Sequence, residues 1–199
     1  MPLTQYYVAA SLDGYIAEPD DGLDWLTRYE GSYDGPGAEA GAMAAGGSYD
    51  AFYERVGALV SGSATYEWIL AHLDEVADTL EAGAAWPYAG KPYWVLSSRE
   101  LPVPDVEGID VRIVEASAEE IHPELARAAG NRNIWVVGGG GVASQFAAAG
   151  LLDELHLTVV PVVLGAGKPL FARPLPAMQL RAVTPMRSGM VELRYELAR

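Results

Sequence analysis

The chain has no cysteine in its 199 residues. That excludes disulfides, thiolate-ligated zinc and a cysteine nucleophile. Histidine is almost as scarce, with His72, His122 and His156 far apart along the sequence, so no imidazole cluster and no metal site is expected. Bases are few: 13 Lys and Arg stand against 27 Asp and Glu, a net charge of −14. Such an acidic chain repels phosphate backbones and anionic membrane surfaces, which argues against nucleic-acid and membrane partners. No apolar run reaches the ~18 residues of a membrane span. The opening MPLTQYYVAASLDGY lacks the basic and apolar regions of a signal peptide, so the expected location is the cytoplasm. What remains is ordinary globular composition, half hydrophobic and one-fifth charged. It is enough for one self-supporting domain spanning residues 1–199.

The acids are concentrated early. Residues 1–100 hold 16 acids and four bases, whereas residues 101–199 hold 11 and nine. An anionic ligand must then be held by backbone N–H groups and a few chosen Arg. Hydrophobic patterning places strands at Gln5–Ala10, Ala58–Ser61, Pro92–Ser97, Val111–Val114, Asn133–Val137 and Glu154–Val160. Helices are expected after Ser48 or Asp50, over Thr65–Leu73, from Ser117 to about Ala129 and over Val142–Ala149. Ser117 with Glu120 forms a capping-box pattern, and Gly130 follows as a stop. Gln179–Pro185 and Met190–Leu197 read as a closing hairpin, and Ser32–Gly47, rich in Gly and Ala, reads as a surface loop or lid. The alternation implies an α/β fold with a mixed sheet.

Three strand ends carry small or hydroxyl residues. Ile134–Val137 runs into Gly138, Gly139, Gly140 and Gly141, and then into a helix. Val60-Ser61-Gly62-Ser63-Ala64-Thr65 repeats the strand–glycine–helix pattern, and Leu96 is followed by Ser97, Ser98 and Arg99. Glycines admit a ligand close to the backbone, and a helix start offers free N–H groups to a phosphate. If the strands are neighbours, the three ends form one crevice. The pattern is neither G-x-G-x-x-G nor a Walker loop.

The order of these segments, together with Ala9-Ala10-Ser11-Leu12-Asp13-Gly14-Tyr15-Ile16-Ala17 and Leu157–Gly165, resembles the dihydrofolate reductase superfamily. It is closest to the reductase domain of the bifunctional riboflavin-biosynthesis deaminase-reductase and its stand-alone relatives. The resemblance implies a mixed sheet flanked by helices with an antiparallel C-terminal hairpin, and a homodimer. It also implies NADPH as cofactor and hydride transfer to a small heterocycle. The named candidate is 5-amino-6-(5-phosphoribosylamino)uracil reductase; a pterin-type reductase and a non-catalytic dinucleotide-binding protein are the alternatives. By the same resemblance Ala9 and Ile16 flank the nicotinamide. Gly62, Ser63 and Thr65 meet the pyrophosphate and nearby ribose, Ser97, Ser98 and Arg99 the 2′-phosphate, and Gly138, Gly139, Gly140, Gly141 and Val142 run under the pyrophosphate. Ser63 and Gly141 stand where relatives can carry a base. Trp25 is implied at the substrate, with Glu30, five positions on, or Asp13 as proton donor and Asp24 as a further option. The Gly138–Gly139 peptide is expected to be cis.

Overall fold

The computed structural model describes residues 1–27, 48–73, 86–106, 108–186 and 188–198. In chain order the elements are β1 (Thr4–Ser11), β2 (Tyr15–Ala17), α1 (Asp24–Thr27), α2 (Ser48–Tyr53), β3 (Val56–Gly62), α3 (Ser63–Ala71), β4 (Tyr93–Leu96) and β5 (Val111–Val114). They continue with α4 (Ala118–Ala129), β6 (Asn133–Gly138), α5 (Gly140–Ala148), β7 (Glu154–Val160), β8 (Lys168–Pro169), β9 (Gln179–Pro185) and β10 (Val191–Glu196). Glu30 and the Ser32–Gly47 stretch lie outside the described residues.

Eight strands form one sheet in the order β5-β4-β3-β6-β1-β7-β10-β9. The first six run parallel, while β10 is antiparallel to both β7 and β9. Strand pleating sends alternate side chains to opposite faces. On one face Tyr6, Val60, Trp94, Ile134 and Val136 pack with Ile121 and Leu125 of α4 and Phe146 of α5. On the other, Tyr7, Leu59, Tyr93 and Trp135 pack with Phe52 of α2 and with Tyr66 and Ile69 of α3. Both faces are covered, which is why the central strands read as continuous apolar runs. The capping box is present: Ser117 Oγ accepts from the Glu120 N–H, and the Glu120 carboxylate accepts from the Ser117 N–H.

The strand order places the ends of β3, β6 and β1 side by side. The chain leaves β1 over β6 to reach β3 and later leaves β6 over β1 to reach β7, so a crevice opens at the carboxyl ends of these strands. A second, two-stranded sheet closes one side of it: β2 pairs with β8, Tyr15 opposite Pro169 and Ala17 opposite Lys168. At two and three residues, these strands are too short for periodicity to reveal. Among the described residues no helix is long and apolar enough to cross a membrane.

Candidate active site

A cavity of about 520 Å³ lies at this crevice. Its walls include Ala9 from β1, Ile16 from β2, Thr65 from α3 and Gly138, Gly139, Gly140 and Gly141 from the β6–α5 junction. Residues spread over more than 130 positions of sequence thus meet in one place. Gly62, Ser63 and Val142 are not on this lining; Gly62 and Val142 adjoin Gly139, and Ser63 precedes the lining residues Ala64 and Thr65. Gly62 and Gly139 are the N-caps of α3 and α5, and neither helix start has a side-chain cap. First-turn N–H groups at both starts are therefore left for another acceptor.

The glycines are there for different reasons. A Cβ on Gly138 would come within 2.7 Å of Thr65 Oγ1 and 2.8 Å of its Cγ2, so α3 and β6 pack directly together. A Cβ on Gly140 would collide with the carbonyl oxygen of Pro169 and approach that of Leu170 at 2.9 Å. Gly141 has open space where a side chain would project, with nothing within 4 Å. Gly139 reverses the chain at φ +89°, a conformation that suits glycine. The described peptide bonds are all trans, Gly138–Gly139 included. The expected cis bond is thus corrected, and the positive φ of Gly139 makes the turn instead.

The other end of the cavity is aromatic. Tyr7, Tyr49, Trp68, Tyr88 and Trp135 line it. The rings are held by their neighbours: Tyr7 stacks on Phe52 at 4.7 Å, Trp68 on His72 at 4.3 Å, and the buried indole N–H of Trp135 donates to the Tyr7 carbonyl at 3.2 Å. Burial pushes the phenol pKa of Tyr49, and still more clearly that of Tyr88, upward, so both rings stay neutral at ordinary pH. At the β2–β8 wall, Asp21 and Lys168 also line the cavity and pair with each other at 3.4 Å.

Several expected site residues lie elsewhere. Asp13 sits outside the lining and accepts from Ser11 Oγ at 2.7 Å and from the backbone N–H groups of Leu164 at 3.1 Å and Gly165 at 2.7 Å. Chiefly the Ser11 bond, aided by the two amides, holds its pKa below the usual aspartate value. This bonding suits a brace between the β1–β2 turn and the β7–β8 loop, and it opposes proton donation. Trp25 is not on the lining: it is buried with Val160, Met186 and Met190 in a cluster against which the lining residues Ala9 and Leu26 pack. Ser97, Ser98 and Arg99 border a separate open depression of about 410 Å³ that also includes Glu100 and Glu115. Arg99 already holds a partner, donating two bonds to Glu67 of α3 at 3.0 and 2.6 Å.

The aromatic wall and Asp21 went unrecognised in the sequence. Trp68 alone had a local signal, lying three positions after Thr65 and so on the same side of α3.

Comparison with known proteins agrees with this architecture. The model of the RibD C-terminal domain family matches residues 72–191. The chain is 31% identical over 193 residues to the uncharacterized protein YwjB of Bacillus subtilis (strain 168), covering 96% of each. A solved structure of a putative riboflavin biosynthesis protein from Shewanella sp. PV-4 superposes with a TM-score of 0.74 at 27% identity, over 99% of both chains. Dihydrofolate reductase from Enterococcus faecalis, solved with NADP(H), superposes with a TM-score of 0.57 at 20% identity over 99% of this chain and 97% of that one, a likeness of fold. By its family match and its full-length relative, the chain belongs to the RibD C-terminal domain family.

Proposed function

We propose that the protein, acting as one domain, is a reductase that uses a nicotinamide dinucleotide, NADPH, to reduce a C=N or C=O carbon of a small planar heterocycle. The observation that carries the reading is the meeting of two uncapped helix starts, at Gly62 and Gly139, on one cavity whose lining includes Ala9 and Ile16. The cradle fits such a group. The space beside Gly141 is open, and no side chain caps either helix start. Amides of α3 and α5 would hold the pyrophosphate without the bases that an acidic chain lacks. Ala9 and Ile16 would flank the nicotinamide, and Ser97, Ser98 and Arg99, in the separate depression past the end of β4 next to β3, would face the 2′-phosphate of a cofactor long enough to span both. The bound cofactor supplies the hydride. The chain supplies orientation and exclusion of water, and the Asp21–Lys168 pair is the acid–base group on the described lining that could relay a proton.

The non-catalytic alternative draws on one observation, that Asp13 is fully engaged as a brace. The two readings part on experiment. Titrating the protein into NADPH and following nicotinamide fluorescence tests binding, and NADPH oxidation with dihydropterin and aminouracil ribotide substrates tests turnover. Binding with turnover is expected. Failure to bind NADPH would overturn the proposal, and binding without turnover of any substrate would favour the alternative.

A further inference from the structure

The aromatic end of the cavity is assembled around Trp135. Its indole stands on β6 and is held to the sheet by the bond to the Tyr7 carbonyl. Three tyrosines meet it edge-on, Tyr49 at 5.9 Å, Tyr53 at 6.2 Å and Tyr88 at 5.7 Å. None of the three stands on a strand. Tyr49 and Tyr53 come from α2, and Tyr88 from the turn before β4. α2 has six residues, too few for a helix to hold itself in water. A helix end also leaves its last carbonyls without partners inside the helix.

Lys91 supplies what α2 lacks. Its ammonium donates to the carbonyls of Tyr53, the last residue of α2, at 3.1 Å and of Val56, the first residue of β3, at 2.6 Å. A cation at a helix C-terminus is also favoured by the helix dipole. The same ammonium lies 4.4 Å from the centre of the Tyr53 ring, where the negative face of the ring attracts it. That ring is stacked on Tyr49 at 5.8 Å, with 9° between the planes. The Lys91 N–H donates to the Tyr88 carbonyl at 3.1 Å. One residue thus ties both tyrosine-bearing segments to each other and to the start of β3. Tyr49 and Tyr88 line the cavity and Lys91 does not, so Lys91 acts through them. Gly62, one of the two uncapped helix starts, is at the other end of β3 from Val56.

We infer that Lys91 is a positioning residue: it sets Tyr49 and Tyr88 around Trp135 and so governs affinity for the ligand received at the aromatic end, leaving the dinucleotide end unchanged. The effect on substrate rests on the reductase reading, whereas the placing of the rings does not.

The test pairs Lys91→Met with Lys91→Arg, which keeps the charge, the donors and the ring contact. With whichever of the dihydropterin and aminouracil ribotide substrates is turned over, Lys91→Met should raise KM several-fold with kcat and NADPH affinity nearly constant. Lys91→Arg should restore KM. A second readout needs no turnover: fluorine NMR of protein carrying 5-fluorotryptophan, assigned by single Trp→Phe replacements. In Lys91→Met the Trp135 resonance should shift or broaden, while those of Trp25 and Trp94, in other clusters of the core, stay in place. Should Lys91→Met fail to fold, Lys91→Gln, which keeps a donor for the carbonyls, is measured instead with the same signs expected. An unchanged KM or an unchanged Trp135 resonance would overturn the inference. An equal loss of NADPH affinity with movement of every resonance would overturn it too, since Lys91 would then support the fold as a whole. If no substrate is turned over but Trp135 alone responds, the reductase reading falls and the positioning role stands.

Discussion

At the scale of single residues, charge placement decides what the site can hold. Arg99 is suited to a 2′-phosphate, but its guanidinium already makes a two-bond pair with Glu67 on the surface. Exposed pairs of this kind contribute little to stability, so a phosphate can displace the carboxylate, although the two compete. Arg99→Ala is expected to weaken NADPH several-fold while leaving NADH unchanged. Glu67→Gln should strengthen NADPH relative to NADH by freeing the guanidinium. Parallel titrations of both cofactors check this, and equal responses of the two would remove Arg99 from the cofactor site. A second prediction concerns the proton. Asp21→Asn should lower kcat by about 10²-fold or more with NADPH affinity nearly constant, as loss of a proton-relay group does. Asp13→Asn should instead lower Tm with kcat preserved, because Asp13 ties two loops together. If Asp21→Asn retains full kcat, Glu30→Gln becomes the informative variant.

Among the elements, legibility followed the range of the interaction. The Ser117–Glu120 box and the Gly62 and Gly139 helix starts depend on residues a few positions apart, so their signals are local and the sequence displays them. The β2–β8 sheet and the aromatic wall depend on partners more than 100 positions apart, such as Tyr15 with Pro169 and Tyr7 with Trp135. No window along the chain contains them. Trp25 shows the converse: the five-residue spacing to Glu30 is a local match, yet packing against Met186 and Met190 takes its ring into a core. The same reasoning yields a contrast between adjacent glycines. Gly140→Ala forces a Cβ against the backbone carbonyls of Pro169 and Leu170, which neither rotates away nor has slack, and overpacking of this sort costs about 1–3 kcal/mol. Gly141→Ala meets nothing within 4 Å and should leave Tm unchanged or slightly raised, since alanine favours a helix. Thermal melts of both variants check this, and equal Tm values would mean that the β8 segment yields. Between β1 and β7, Glu154 accepts from Gln5 at 2.6 Å and pairs with His156 at 3.0 Å. The His156 bond, with Gln5 assisting, lowers its pKa to about 2. A carboxyl depressed on folding adds stability that is complete above its ordinary pKa and lost as pH falls toward 2. Glu154→Gln should therefore flatten the fall of Tm between about pH 4.5 and pH 2, and an unchanged acid profile would contradict the assignment.

For the molecule as a whole, the unfinished feature is the sheet edge. β9 is exposed at all seven of its positions. It pairs with β10 through a register shift: Leu180 stands opposite Tyr195 and Ala182 opposite Arg194, which leaves Arg181 as the extra residue of a bulge. The bulge changes the side to which the following residues point. Leu180 and Val183, an odd number of positions apart, thereby face the same way, opposite Tyr195 and Leu193. That face continues inward through Leu155 and Leu157 of β7, which belong to or pack against the larger core. An apolar strip thus runs out of the core and ends at two side chains about half exposed, Leu180 at 48% and Val183 at 53%. An edge strand with an apolar face and unpaired backbone groups is one that soluble proteins cover, and a two-fold copy of the same strip is self-complementary by symmetry. We expect a homodimer joined along β9, with a solution mass twice the 21.2 kDa of one chain. Light scattering across a dilution series measures it. Val183→Lys should shift the mass toward one chain while leaving NADPH binding intact, because β9 is far in sheet order from the β3, β6 and β1 ends. A single-chain mass for the unmodified protein at micromolar concentration would end the dimer proposal and leave the edge to be protected by the Arg181–Glu196 ion pair and the bulge alone.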